Sequence, residues 1–474
     1  MSESSNARIA RGATIILIAN VVNMLISIIT NFILPQNLST DTYASIKLYQ
    51  LYLSYVGILH FGAVDGIYLR YGGKHLSTLG REEIGKSLST FRCFQILIVV
   101  VGIIVSLFAK DMILLVVSFM VLPTNMLSYY KYLYQACGEF KAYSRILNIV
   151  TIGMFIVNMG LVLVIKSDNY IPYIVGYLLV NALMLIYTEI SFSKRYDVPL
   201  KNQKNLSVSA LVYDMRNGIL LTLGNFASIL MTSMDRWFVK IFIGTTAFAQ
   251  YAFAVSIENF LNTAATPVTI TFYNGFCTDD SLEKIQMLRK CVMFLSALLV
   301  SSAFAIKFIT EIYLTKYQDA VNVMFYLFAA QFFYVVIKSI YNNLYKVRKK
   351  QSIYFTKLLV SLVAGFVFNL IGYYLYNVKE SYAIATLCSA VFWLIIVLFD
   401  FNMEERLSMK EWAFMALVST ALLVFGKVVS SIVGFVLYLF VVVVVAEIFL
   451  EDTVKKMLSF AIRNVKNIFK KHIT

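Results

Sequence analysis

About fourteen apolar runs, each long enough to cross ~30 Å of hydrocarbon as a helix, follow one another along the chain. They lie near 12–34, 48–69, 90–109, 112–130, 146–165, 170–192, 217–239, 248–270, 291–310, 320–341, 354–376, 381–400, 411–431 and 433–449. Inside them polar residues are few and patterned. In the run that starts after Arg216, Asn225, Ser228, Thr232, Asp235 and Arg236 are spaced to fall on one stripe of a helix turning ~100° per residue. A shift of 205 residues lands on Asn20, Asn23, Ser27, Thr30 and Asn31, and pairs Arg11 with Arg216 and Leu25 with Leu230. Two helices with one polar seam therefore open two halves of the chain, and repeated membrane helices commonly flank a transporter's binding site.

Basic residues fix the expected orientation. Alternate connections, starting before the first run, hold 31 of the 41 Lys and Arg residues, which places those connections and both termini in the cytoplasm. That result requires an even number of crossings. The longest connection, 193–216, contains Pro199 and separates an N-lobe of spans 1–6 (1–192) from a C-lobe of spans 7–12 (217–401). Spans 13 and 14 (402–450) stand outside the repeat. The tail, 451–474, interleaves apolar with basic residues and reads as an amphipathic helix on anionic membrane lipids. The expected fold is an all-α integral membrane protein of about 14 transmembrane helices, in two pseudo-symmetric six-helix lobes plus two C-terminal helices. Pro123 and Pro267 are expected to kink spans 4 and 8.

Composition agrees: 59% of residues are hydrophobic and 14% charged, against roughly 25% charged in soluble domains. The net charge of +15 lies in short segments between spans, so it points to lipid and not to nucleic acid. The five cysteines and three histidines form neither CxxC pairs nor a metal constellation, and the cysteines read as unpaired packing residues. Gly80 to Ser87 matches the phosphate-loop pattern, but a short connection leaves no room for a nucleotide fold, so no nucleotide is expected and the stretch reads as the charged start of span 3.

Charges inside spans are costly unless they meet a partner or a cavity. Glu258, near the middle of span 8, shares a face with Tyr251, Asn262, Thr266, Thr269 and Tyr273; that face is either a cavity wall or a packing seam. Asp235 and Arg236 serve either a site or an interfacial ion pair. Asp65 and Arg70 lie near the inner end of span 2, and Lys338 at the inner end of span 10. Arg11 and Arg216 could anchor their helices or meet an anionic ligand. His60 reads as a satisfied core residue. No nucleophile, base and orienting group occur at supporting spacing, so no catalytic residue, metal or cofactor is assigned.

The segments FGAVDGIYLRYGG (61–73), KYLYQACGEFKAYSRILNIV (131–150) and GNFASILMTSMDRWFVKIFIGTTAFAQYAFA (224–254), with the span pattern, resemble the multidrug/oligosaccharidyl-lipid/polysaccharide exporter superfamily. Within it the chain is similar to bacterial polysaccharide flippases of the Wzx type. The resemblance implies a bacterial cytoplasmic-membrane flippase that moves a polyprenyl-diphosphate-linked oligosaccharide to the outer leaflet for capsule, exopolysaccharide or O-antigen-type polymer, with a glycan polymerase as partner. On that reading Arg11, Arg70, Arg216, Arg236 and Lys338 attract the diphosphate, while Asn20, Asn23, Asn225, Thr232 and Asn262 contact sugar. Asp65 belongs to the same cavity, and the sequence permits Asp235 or Glu258 to couple to a proton or monovalent cation. A multidrug efflux carrier and a lipid II flippase are the alternatives.

Overall fold

The computed structural model describes residues 5–199 and 206–450, with side chains from residue 21 onward except at Asn274. The side chains of Arg11 and Asn20, part of the expected linker and the whole C-terminal tail lie outside the described residues. Within them the chain is all helix, with no strand. Each of the fourteen apolar runs lies mainly on helix, three of them with a break. Ten of the resulting helices are long and apolar enough to cross a membrane, and an eleventh is counted if Val208–Met231 and Met234–Ile243 form one broken span. Helix exteriors carry exposed Leu, Val, Ile and Phe such as Leu107, Phe108, Leu183, Val363 and Phe440, as a surface solvated by lipid requires.

The chain divides into two compact units, Met1–Ser233 and Met234–Thr474. The first contains α1 (Ser5–Asn37), α2 (Thr40–Ser54), α3 (Ala63–Tyr71), α4 (Arg81–Ala109), α5 (Met112–Ala136), α6 (Phe140–Met159), α7 (Tyr170–Tyr196) and α8 (Val208–Met231). At its centre is α5, packed against α2, α3, α4, α6 and α7. Its start is fixed by Asp111, whose carboxylate accepts from the N–H groups of Ile113 and Leu114 at 2.8 and 3.0 Å, an N-cap in the usual sense. Ser39 and Asn169 cap α2 and α7 in the same way.

The second unit contains α9 (Met234–Phe238), α10 (Thr245–Thr278), α11 (Leu282–Val300), α12 (Ser302–Tyr313), α13 (Ala320–Val336), α14 (Asn342–Val347), α15 (Gln351–Leu375), α16 (Lys379–Leu398), α17 (Met409–Val428) and α18 (Ser431–Phe449). Almost every residue of the apolar helix α13 is buried, against α10, α11, α16 and α17. Close approach of α17 and α18 to the rest of this unit uses Gly426, set against the Phe325 ring, and Gly434, set against Phe304.

Packing in the second unit repeats that of the first with a shift of six predicted spans. The pairs α4–α5, α3–α5, α5–α7 and α6–α7 correspond to α11–α13, α10–α13, α13–α16 and α15–α16. The connections also sort into two groups that bond among themselves. In the first unit, Arg81 pairs with Asp197 and Arg195 with Glu139, joining connections expected to be cytoplasmic. Ser39 bonds Asp168 at 2.9 Å across two connections expected to be external. In the second unit Arg348 reaches both Asp280 and Glu405, again joining basic connections. Alternating direction along the chain produces this sorting.

Three expected spans are interrupted. Span 2 is broken between α2 and α3 by a tight turn through Phe61 and Gly62, whose φ values are 50° and 89°; only left-handed backbone closes that turn, which favours glycine. Span 9 is divided at Ser301 into α11 and α12. Span 7 ends as α8 at Met231, and α9 begins at Met234, so Asp235 and Arg236 do not continue the stripe of Asn225, Ser228 and Thr232. By contrast, α5 and α10 run unbroken through Pro123 and Pro267. The phosphate-loop look-alike opens α4, with Glu82 and Lys86 paired one turn apart. All five cysteines are free thiols, but Cys277 and Cys388 are exposed and do not pack.

Candidate functional site

Each unit holds its own polar constellation. In the first, α8 lies on α3 through glycine: a Cβ on Gly218 would come 2.0 Å from the carbonyl oxygen of Gly62. This backbone-to-backbone approach brings the polar side chains of the two helices together. The Thr222 hydroxyl donates to the Asp65 carboxyl group, which is only 5% exposed. Nearby, His60 Nδ1 accepts from the Gly62 N–H at 3.2 Å. When neutral, the ring therefore carries its proton on Nε2, which lies 3.9 Å from Asp65 Oδ2. A pocket of about 450 Å³ opens beside this pair, walled by Ser128 and Tyr132 of α5 and by Asn225, Phe226 and Ser228 of α8.

Other predicted residues of this unit lie elsewhere. The Arg70 guanidinium pairs with Asp214 at 3.2 Å and with Glu83, so its charge is spent inside the unit. Arg216 is exposed on α8. Asn23 is half-buried on α1, and its side-chain oxygen has no hydrogen-bond partner among the described residues. Thr232 caps α8 by donating to the carbonyls of Ser228 and Ile229, each at 3.2 Å.

In the second unit Asp235 is buried at the start of α9. Its carboxylate accepts from the Tyr251 hydroxyl at 2.6 Å, the Thr386 hydroxyl at 3.0 Å and the Arg236 N–H at 2.8 Å. On α10, Asn262 accepts from the Lys338 ammonium at 2.8 Å, and that ammonium lies 5.6 Å from the centre of the Tyr334 ring, a cation–π contact. Glu258 sits one helical turn before Asn262, within electrostatic reach of Lys338, Arg236 and Asp235. Its carboxylate has no hydrogen-bond partner among the described residues. Asp235, Arg236, Glu258, Asn262 and Lys338 thus form one constellation.

Sequence reasoning passed over Thr222, Ser128, Tyr132 and Thr386, single hydroxyl residues in apolar helices, and read His60 as core. The Gly62–Gly66 spacing was the signal available for the α3–α8 crossing.

The repeated helix packing and the helices long and apolar enough to cross a membrane describe a multi-pass membrane fold. Among solved structures, the chain is similar over 93% of its length to the whole (99%) of the lipid II flippase MurJ in an inward closed conformation, at 14% identity and a TM-score of 0.71. It is similar over 81% of its length to 98% of an inward-facing multidrug resistance MATE family transporter of the MOP superfamily, at 11% identity and a TM-score of 0.59. A MOP superfamily transporter from Pyrococcus furiosus, described as having a binding pocket of reversed polarity, matches at 10% identity and a TM-score of 0.51, over 84% of this chain and 96% of that one. No protein-family model and no curated protein sequence matches the chain. The fold is therefore like that of the flippase MurJ and of the MATE family transporters.

Proposed function

We propose that this protein is a flippase of the bacterial cytoplasmic membrane, with both termini cytoplasmic, that moves a polyprenyl-diphosphate-linked oligosaccharide to the outer leaflet by alternating access. The product would feed capsule, exopolysaccharide or O-antigen-type polymer assembly, with a glycan polymerase as the partner that consumes it. One observation carries the reading: the polar groups held inside the two helical units are of two kinds. Hydroxyls, an amide and aromatic rings line the pocket of the first unit. Lysine and arginine stand beside Glu258 in the second. A glycan on a diphosphate presents both chemistries, and each unpaired hydroxyl taken into hydrocarbon costs several kcal/mol. Lys338 and Arg236 are the groups assigned to the diphosphate, with Arg11 and Arg216 at the expected entrance. Asp235 and Glu258 are the carboxylates available to a coupling proton or monovalent cation.

A second reading, a lipid II flippase, draws support from the extent of the likeness to MurJ. A carrier of cationic drugs fits less well, because Lys338 and Arg236 stand among the acids. Lipid-linked glycans in membranes with and without the gene, with leaflet assigned by an external glycan-modifying enzyme, test these readings. Loss of the protein should trap a diphosphate-linked oligosaccharide on the inner face. Lethal loss with trapped lipid II would transfer the assignment to the cell-wall precursor. Unchanged glycans with new sensitivity to cationic dyes would replace it with drug export.

A further inference from the structure

We infer that the pocket of the first unit is a subsite for an uncharged or amino-bearing sugar ring, and takes neither the diphosphate nor an acidic sugar. This rests on the flippase reading and narrows it.

Unspent hydrogen-bonding capacity is the first ground. The hydroxyls of Ser128, Tyr132 and Ser228 and the side-chain amide of Asn225 face the pocket, and none has a hydrogen-bond partner among the described residues. His60 spends Nδ1 on the Gly62 N–H, and its Nε2, at 3.9 Å from Asp65, is too far for a direct bond. Asp65 spends Oδ2 on Thr222 and keeps Oδ1. A donor nitrogen beside an accepting carboxyl oxygen matches neighbouring hydroxyls on a sugar ring, each of which both donates and accepts.

Shape and charge decide the rest. Tyr132 and Phe226 stand in the wall, held edge-on by Tyr68 and Tyr55, and offer apolar ring surface to the C–H face of a pyranose. Among the described residues no lysine or arginine lines the pocket, and Arg70, on the helix that carries Asp65, is committed to Asp214 and Glu83. A phosphate or carboxylate here would lie beside Asp65 with no counter-charge, which is costly in a partly dry site. An ammonium group would meet Asp65 favourably. Sites built to hydrogen-bond hydroxyls discriminate strongly, because unmatched polar groups are left unpaired.

The test uses the full-length protein in nanodiscs, with saturation-transfer NMR reporting glucose, glucosamine and glucuronate at equal concentration, and undecaprenyl diphosphate binding measured on the same samples. Glucose and glucosamine should give signal and glucuronate none, and Asn225→Ala and Asp65→Asn should each weaken the sugar signal about tenfold. Glucuronate binding as well as glucose, or an unchanged sugar signal in Asn225→Ala, overturns the subsite. Asn225 is exposed, so that variant remains informative even where Asp65→Asn does not fold. If undecaprenyl diphosphate binds while sugars show no selectivity, the subsite falls and the flippase reading stands. If neither binds, both fall.

Discussion

Gly66 of α3 lies so close to Asp214 of α8 that a Cβ at position 66 would stand 1.9 Å from the Asp214 carbonyl oxygen. The contact is backbone on backbone, so no side-chain rotation can relieve it. Glycine is what allows α3 and α8 to carry the Asp65–Thr222 and Arg70–Asp214 pairs at bonding distance.

Gly66→Ala should therefore force the two helices apart and lower stability by at least the ~1–3 kcal/mol typical of overpacking. Thermal unfolding in detergent measures it. Gly57→Ala is the matched control, because a Cβ there meets nothing within 4 Å. Equal midpoints for the two variants would contradict a close-packed α3–α8 crossing.

Much of this arrangement was legible in the sequence, and the limits have physical causes. The length and apolarity of the runs place each of them on helix, since an apolar run can satisfy its backbone in a membrane only that way or in a closed barrel. The six-span repeat reappears in the packing of α13 as in that of α5. Grouping of Glu258, Asn262 and Lys338 was half visible, because Glu258 and Asn262 share a helix face; the meeting of Asn262 with Lys338 depends on how α10 packs and no spacing encodes it. The breaks at Phe61 and Thr232 were not legible, because hydropathy averages across a turn of two or three residues. Arg70 looked available for a ligand because Asp214, its partner, is 144 positions away.

Arg289 and Glu411 form a bidentate pair whose side chains are 3% and 1% exposed, with bonds of 2.8 and 3.0 Å. A third bond runs from Arg289 to the Glu405 carbonyl at 2.6 Å. Arg289→Met leaves Glu411 buried without its cation and should cost about 3–5 kcal/mol. Arg289→Met with Glu411→Leu should lose clearly less than the sum of the two single losses, because no lone charge remains. Additive losses in a denaturant-unfolding cycle would contradict the pairing.

Cys277 is exposed near the end of α10, beside a connection expected from its basic residues to be cytoplasmic. A variant keeping Cys277 alone, with the other four cysteines changed to serine, should react with a membrane-impermeant maleimide in inside-out vesicles and stay unlabelled in intact cells. Labelling from outside would invert the topology, and with it the expected direction of transport.

Lys338 and Glu258 should fail in different ways. Lys338 holds Asn262 and lies over Tyr334, yet has no carboxylate within ion-pair distance among the described residues. Its charge is thus available to an anion, and a charge-assisted bond is worth ~1.5–3 kcal/mol. Lys338→Met should then weaken binding of undecaprenyl diphosphate by about ten- to 100-fold. Glu258 spends no hydrogen bond on the fold, although it stands within reach of Lys338, Arg236 and Asp235. A carboxylate held among apolar helices without a structural hydrogen bond is costly to the fold, which marks Glu258 as a candidate for a functional role. Glu258→Gln keeps the shape and cannot gain or lose a proton, so on the coupling reading the lipid diphosphate should still bind while export to the outer leaflet stops. Normal export in Glu258→Gln would remove the coupling role, and unchanged binding in Lys338→Met would remove the anion site.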